Sequence, residues 1–165
     1  MRTKIIFRIA VLSCLFLAAA GLADQRRKDT DLAVVVNPDT PVTNLNVTEL
    51  RKIFRGERQY WSKNMPVVLL VRAPVSRERD AVVRDICQMT ESQFKQYWIA
   101  RILRAEAVSS PIVVTSSQSA NDVVATIPGA ITVLDMRDVR PGLKVLRVNN
   151  LLPADSGYSI SMEHP

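Results

Sequence analysis

The sequence predicts an α/β fold with one mostly parallel or mixed sheet flanked by helices. Three observations lead there. Short apolar runs rich in β-branched residues recur along the chain as buried-strand candidates. Between them lie amphipathic segments opened by N-cap signatures, and Asn-Pro, Gly and Pro-Gly punctuate the joins. With 165 residues, 47% hydrophobic and 23% charged, the composition fits one globular domain and excludes a disordered, collagen-like or disulfide-dense chain.

The N-terminus reads as a targeting segment. Arg2, Lys4 and Arg8 precede an uncharged apolar run, and Gly21-Leu22-Ala23 places small residues before Asp24. This predicts a signal peptide over residues 1–23, then a flexible leader over 24–31 and a domain over 32–165. The uncharged stretch falls short of the roughly 20 residues that span a bilayer, so no stable membrane anchor is expected after cleavage. Lipidation of Cys14 would leave too short an apolar core before it. Without Arg2, Lys4 and Arg8 the formal charge drops from +6 to +3.

The elements follow in order. Leu32 to Val36 reads as a buried strand, expected in a parallel sheet and stopped by Asn37-Pro38. Asn46 and Glu49 form a capping box flanked by the staple pair Leu45 and Leu50. The helix so opened places Val47, Leu50, Ile53 and Phe54 on one face and stops at Gly56. Residues 66–71 give a second strand, and Ser76 caps a helix to about Met89 with Val82, Val83, Ile86 and Cys87 inward. Thr90 and Gln93 cap a helix carrying Phe94, Tyr97, Trp98 and Ile102 as a packing face. Residues 111–115 are a third strand, Ser119 with Asp122 caps a short helix bearing Val123, Val124 and Ile127, and 130–134 follow as a strand. Residues 143–148 and 158–162 are further strand candidates.

Several functions are disfavoured. The single histidine, His164, sits in the polar tail, so a His-based triad and a multi-His zinc site have no ligands. Cys14 and Cys87 form no C-x-x-C pair, and Cys87 reads as a buried small hydrophobe. No basic stripe interleaves with aromatics, so nucleic acid is not an expected partner. No metal or organic cofactor is expected.

The chain resembles phosphate ABC-transporter substrate-binding proteins. The resemblance rests on Val34-Val35-Val36-Asn37-Pro38, Ile53-Phe54-Arg55-Gly56, Trp61, a strand ending in Arg72, Ser76, Tyr97-Trp98, Pro111 and Pro128-Gly129-Ala130-Ile131. It covers about residues 32–134. It implies a single lobe of a periplasmic-binding-protein-like fold, since the family carries two lobes and about twice this length. It also implies a periplasmic, non-enzymatic solute-binding role, with phosphate or a similar oxyanion as ligand and an ABC transporter or other envelope protein as partner.

The family's anion site follows R-x-x-x-S-G-T at a strand-to-helix junction. There hydroxyls, helix N–H groups and a guanidinium face the anion. Arg72 and Ser76 keep that spacing, whereas Arg77 stands in the Gly position and Glu78 in the Thr position. The lost Gly and the added carboxylate oppose phosphate binding, while Arg77 and Arg79 partly offset the charge. Arg77 is a candidate ligand-binding residue with Arg72 and Ser76. Ser116 and Ser117, after the third strand, are candidate additional donors. The plainer readings stand beside these: Ser76 as an N-cap, Arg72 as a solvated strand end, Ser116 and Ser117 as loop or capping serines. The alternative function is a structural or interaction protein that keeps the lobe without a ligand. A hydrolase ranks last, because no G-x-S-x-G elbow is present.

Overall fold

The computed structural model describes residues 32–107 and 109–160. The expected signal peptide and leader, Cys14 and His164 lie outside them. The elements are β1 (Leu32–Val36), β2 (Asn44–Leu45), α1 (Val47–Phe54), β3 (Tyr60–Ser62), β4 (Met65–Pro66), β5 (Val68–Arg72), α2 (Arg77–Asp80), α3 (Glu91–Leu103), β6 (Ile112–Val114), α4 (Ser117–Thr126), β7 (Ala130–Asp135), β8 (Lys144–Val145) and β9 (Arg147–Val148). A π-helix, Ala81–Ile86, continues α2, and a 3-10 turn, Met136–Asp138, follows β7.

The central sheet has the order β6-β5-β7-β1-β8. β5 runs parallel to β6 and β7, while β1 is antiparallel to β7 and β8. The sheet is therefore mixed, and the parallel setting expected for β1 is corrected. All five β1 residues are buried, so its apolar run records burial on both faces and carries no strand direction. Alternate side chains feed two cores. Val34, Val36, Leu69, Val71, Ile131 and Val133 pack with α1, the π-helix and α3. Ala33, Val35, Leu70, Val114 and Leu134 pack with Ala120 and Val124 of α4.

The local signals for α1 hold. Asn46 Oδ1 accepts from the Glu49 N–H at 2.8 Å, and Glu49 Oε2 accepts from the Asn46 N–H at 3.0 Å. Val47, Leu50, Ile53 and Phe54 are buried. Gly56 ends the helix at φ +66°, and a Cβ there would lie 2.5 Å from Trp98, so the residue must both turn and admit the indole. Thr90 and Gln93 close a second capping box on α3, burying Phe94 and Trp98. Ile102, expected on that face, is exposed because the helix end passes the edge of the core.

Four expectations change. The helix from Ser76 is only briefly α-helical: the Cys87 N–H bonds to Val82 O, five residues back, and Arg51 Nε caps Ile86 O at 2.8 Å. The buried face of Val82, Val83, Ile86 and Cys87 is kept. The N-cap of α4 is Ser116, whose Oγ takes the Ser119 N–H at 3.0 Å, so Ser119 lies in the first turn and the helix begins one turn earlier. Residues 143–148 split into β8 and β9 because β9 leaves the main sheet to pair with β2. Tyr158 and Ile160 are buried, but residues 158–160 form no strand, and 161–162 lie outside the described residues.

Candidate functional site

The parallel strands β5, β6 and β7 end together on one edge of the sheet, with Arg72 opposite Val114. Helices leave from this edge, so guanidinium, hydroxyl and N–H groups gather there. Arg72 ends β5, and its Nη1 donates to Ser117 Oγ at 3.4 Å. Its Nε is enclosed without a hydrogen-bond partner. Ser117 opens α4 and donates its own proton to Asp138 Oδ2 at 2.7 Å. The structure thus brings Arg72 and Ser117 together and adds a carboxylate to them.

Ser76 caps α2. Its Oγ accepts from the Arg79 N–H at 3.2 Å, and its hydroxyl donates to Ala73 O at 3.1 Å. Ser116 caps α4, its Oγ accepting the Ser119 N–H at 3.0 Å, with Ser119 Oγ a further 2.8 Å neighbour. Both serines fill the capping role that sequence alone allowed as the plainer reading. The turn before Ser76 is strained: Val75 sits at φ +67° and is fully exposed.

Arg77 turns across the edge to β7, where its Nη1 lies 3.3 Å from Asp135 Oδ2. Arg137 grips the same carboxylate. Its Nε is 2.9 Å from Oδ1, its Nη2 2.7 Å from Oδ2, and its backbone N–H 3.0 Å from Oδ1. These hydrogen bonds, Arg137's side chain foremost, outweigh partial burial and hold the Asp135 carboxyl down at about 2.

Arg79 braces the junction from beneath. It is buried, forks onto Glu91 at 2.6 and 3.1 Å, and donates to Arg72 O at 3.4 Å. Its guanidinium stacks 5.0 Å from the Phe94 ring. Asp135, Arg137 and Asp138 are the site neighbours that sequence reasoning missed. The signal available was positional, since Asp135 closes an apolar strand just as Arg72 does.

An open depression of about 290 Å3, lined by Ser117, Gln118, Asn121, Asp138 and Arg140, adjoins this edge. A larger cavity of about 390 Å3 lies at the opposite end of β5, between Gly56, Tyr60, Val68 and Trp98, and includes none of the predicted site residues. Burial pushes the Cys87 thiol up to about 12, so it is no nucleophile at neutral pH. Among the described residues no cluster of His, Cys, Asp and Glu could hold a metal ion, and no helix is long and apolar enough to cross a membrane.

Residues 30–159 match a PBP superfamily domain. The fold is similar to a putative phosphate ABC transporter substrate-binding protein with bound phosphate from Clostridium perfringens, at TM-score 0.59 and 18% identity, covering 73% of this chain and 46% of that one. It is also similar to an ABC-type phosphate transport receptor from Vibrio cholerae, at TM-score 0.55 and 21% identity, over 75% of this chain and 48% of that one. PstS from Borrelia burgdorferi gives TM-score 0.56 and 19% identity, over 75% and 49%. The chain therefore spans about half the length of each of these proteins.

Proposed function

Because the chain belongs to the PBP superfamily, we propose that it is a non-enzymatic, solute-binding-like domain that takes phosphate or a similar oxyanion weakly at the C-terminal edge of β5 and β6. One observation carries this reading. Arg72 holds a guanidinium at the start of α4, and its hydrogen bond to Ser117 is long at 3.4 Å. A weakly engaged guanidinium beside helix N–H groups is the chemistry that attracts an oxyanion. Ser117 touches it, and Ser76, Arg77 and Ser116 are the further candidate contacts at the strand-to-helix junctions of the same edge. The phosphate-transport proteins of similar fold support phosphate as the candidate ligand.

Binding is weak because the site satisfies itself. Ser76 donates its hydroxyl proton to Ala73 O, Ser117 donates to Asp138, and Glu78 adds a carboxylate to the first turn of α2. These same bonds favour the second reading, a lobe that keeps its fold as an interaction scaffold and binds nothing. Titration calorimetry of the full chain with inorganic phosphate, alongside Arg72→Ala, separates the two. Measurable binding that Arg72→Ala abolishes supports the first reading. A flat titration on folded wild type overturns it and leaves the scaffold.

The placement in the cell belongs to the same proposal. Residues 1–23 are a cleaved signal peptide, 24–31 a leader and 32–165 the domain, which works in the periplasm with an ABC transporter or another envelope protein. The basic, apolar and small-residue order before Asp24 supports export. An intact mass starting at Asp24 is expected; a mass retaining residues 1–23, or lipid on Cys14, would refute it.

A further inference from the structure

We propose that Asp135 is an internal anion: its carboxylate occupies the place between Arg77 and Arg137 where an exogenous oxyanion would bind, and so limits the affinity of this edge. The inference rests on the oxyanion reading above and names the residue that restrains it.

Asp135 ends β7, the parallel neighbour of β5, so it stands on the same edge as Arg72. It is 8% exposed, and two guanidiniums from different elements converge on it. Arg77 comes from the first position of α2, beside Ser76, and Arg137 from the turn after β7. Arg137 meets the two oxygens at 2.9 and 2.7 Å with its planar fork, the arrangement guanidinium also uses for phosphate and sulfate. Oδ2 is shared with Arg77 at 3.3 Å. A carboxylate fixed to the chain competes at an effective concentration of about millimolar or above, so a free anion of ordinary affinity loses to it. Arg137 has a side chain that is 78% exposed, so an incoming anion has access once the carboxylate charge is gone.

Asp135→Asn tests this cleanly. It removes the charge and keeps an Oδ1 that can accept the Arg137 N–H, the bond that starts the 3-10 turn. Inorganic phosphate and sulfate are titrated into full chains of wild type, Asp135→Asn, Asp135→Ser and Asp135→Glu. Asp135→Asn is expected to bind at least tenfold tighter than wild type, with Asp135→Ser alongside it as a second neutral residue that caps. Asp135→Glu keeps the charge and stays weak. The gain is lost when Arg77→Ala or Arg137→Ala is added to Asp135→Asn.

Folded neutral variants that bind no tighter than wild type overturn the inference. So does a gain that survives removal of both arginines, which would mark a general charge effect. Failure of the parent reading looks different: wild type would give a flat titration, or Arg72→Ala would leave its binding unchanged, whatever Asp135→Asn does.

Discussion

Val75→Gly should stabilise the domain. Val75 sits in the tight turn between β5 and Ser76 at φ +67°, the left-handed region, and its side chain is fully exposed. A β-branched residue there is strained by about 1–3 kcal/mol, because its Cβ crowds the following carbonyl. Glycine removes that clash. It costs about 0.5–1 kcal/mol through the freer unfolded chain. No burial is lost, since the valine touches water on every side. The net expectation is a gain of about 0.5–1.5 kcal/mol. With a urea m-value of about 2 kcal/mol/M, the midpoint should rise by on the order of 0.5 M at unchanged slope. Val75→Ala keeps a Cβ and should recover only part of the gain. Equilibrium urea unfolding of the three proteins by circular dichroism decides it. A midpoint for Val75→Gly equal to or below wild type refutes the strain argument.

Gly129→Ala should be among the worst single changes. A Cβ there would sit 2.1 Å from Pro66 O at φ +79°, so backbone must move, and the Gly129 O that accepts from Trp61 Nε1 at 2.8 Å moves with it. We expect a loss of about 3 kcal/mol or more, against about 1–2 kcal/mol for Gly142→Ala, which has φ +93° and open space; equal losses in urea unfolding would show that strain alone matters. The Asp135 carboxyl is held at about 2 from an ordinary value of 3.8. Its contribution to stability is thus fully present above about pH 4 and is lost as pH falls toward 2. Because Arg137 is largely exposed, that contribution is about 1–2 kcal/mol. Wild type should lose its stability advantage over Asp135→Asn between pH 4 and pH 2 in urea titrations, and a constant difference across that range would contradict the pairing.

What the sequence reveals follows the range of each interaction. The caps at Asn46, Ser76 and Thr90 were legible because donor and acceptor lie three residues apart and the residue types are chemically selective. The faces of α1 and of the 81–87 segment were legible because burial repeats along the helix. Even the π-helix leaves that face intact, which is why its wider hydrogen bonding could not be read from the apolar spacing. At α4 two serines three residues apart offered competing caps, and the choice of Ser116 was made by where β6 ends. The direction of β1 depends on partners about a hundred residues away, and no local pattern encodes it.

The site divides along the same line. Arg72 and Ser76 could be placed from sequence at a strand end and a helix N-cap, because those two positions are fixed relative to each other within five residues. Whether they are available to a ligand depends on residues elsewhere. Asp138 takes the Ser117 proton from 21 residues on, and Asp135 takes Arg77 from 58 residues on. Sequence supplied the donors on this edge and missed their occupants. The substitutions of Arg77 and Glu78 for Gly and Thr therefore understate how the edge differs from an open anion site. Restoring glycine and threonine would remove Arg77 from Asp135, yet it would leave Arg137 bound to that carboxylate and Asp138 on Ser117. Affinity should respond far more to neutralising Asp135 than to rebuilding the loop, since a motif can bind only with the groups that the rest of the fold leaves unengaged.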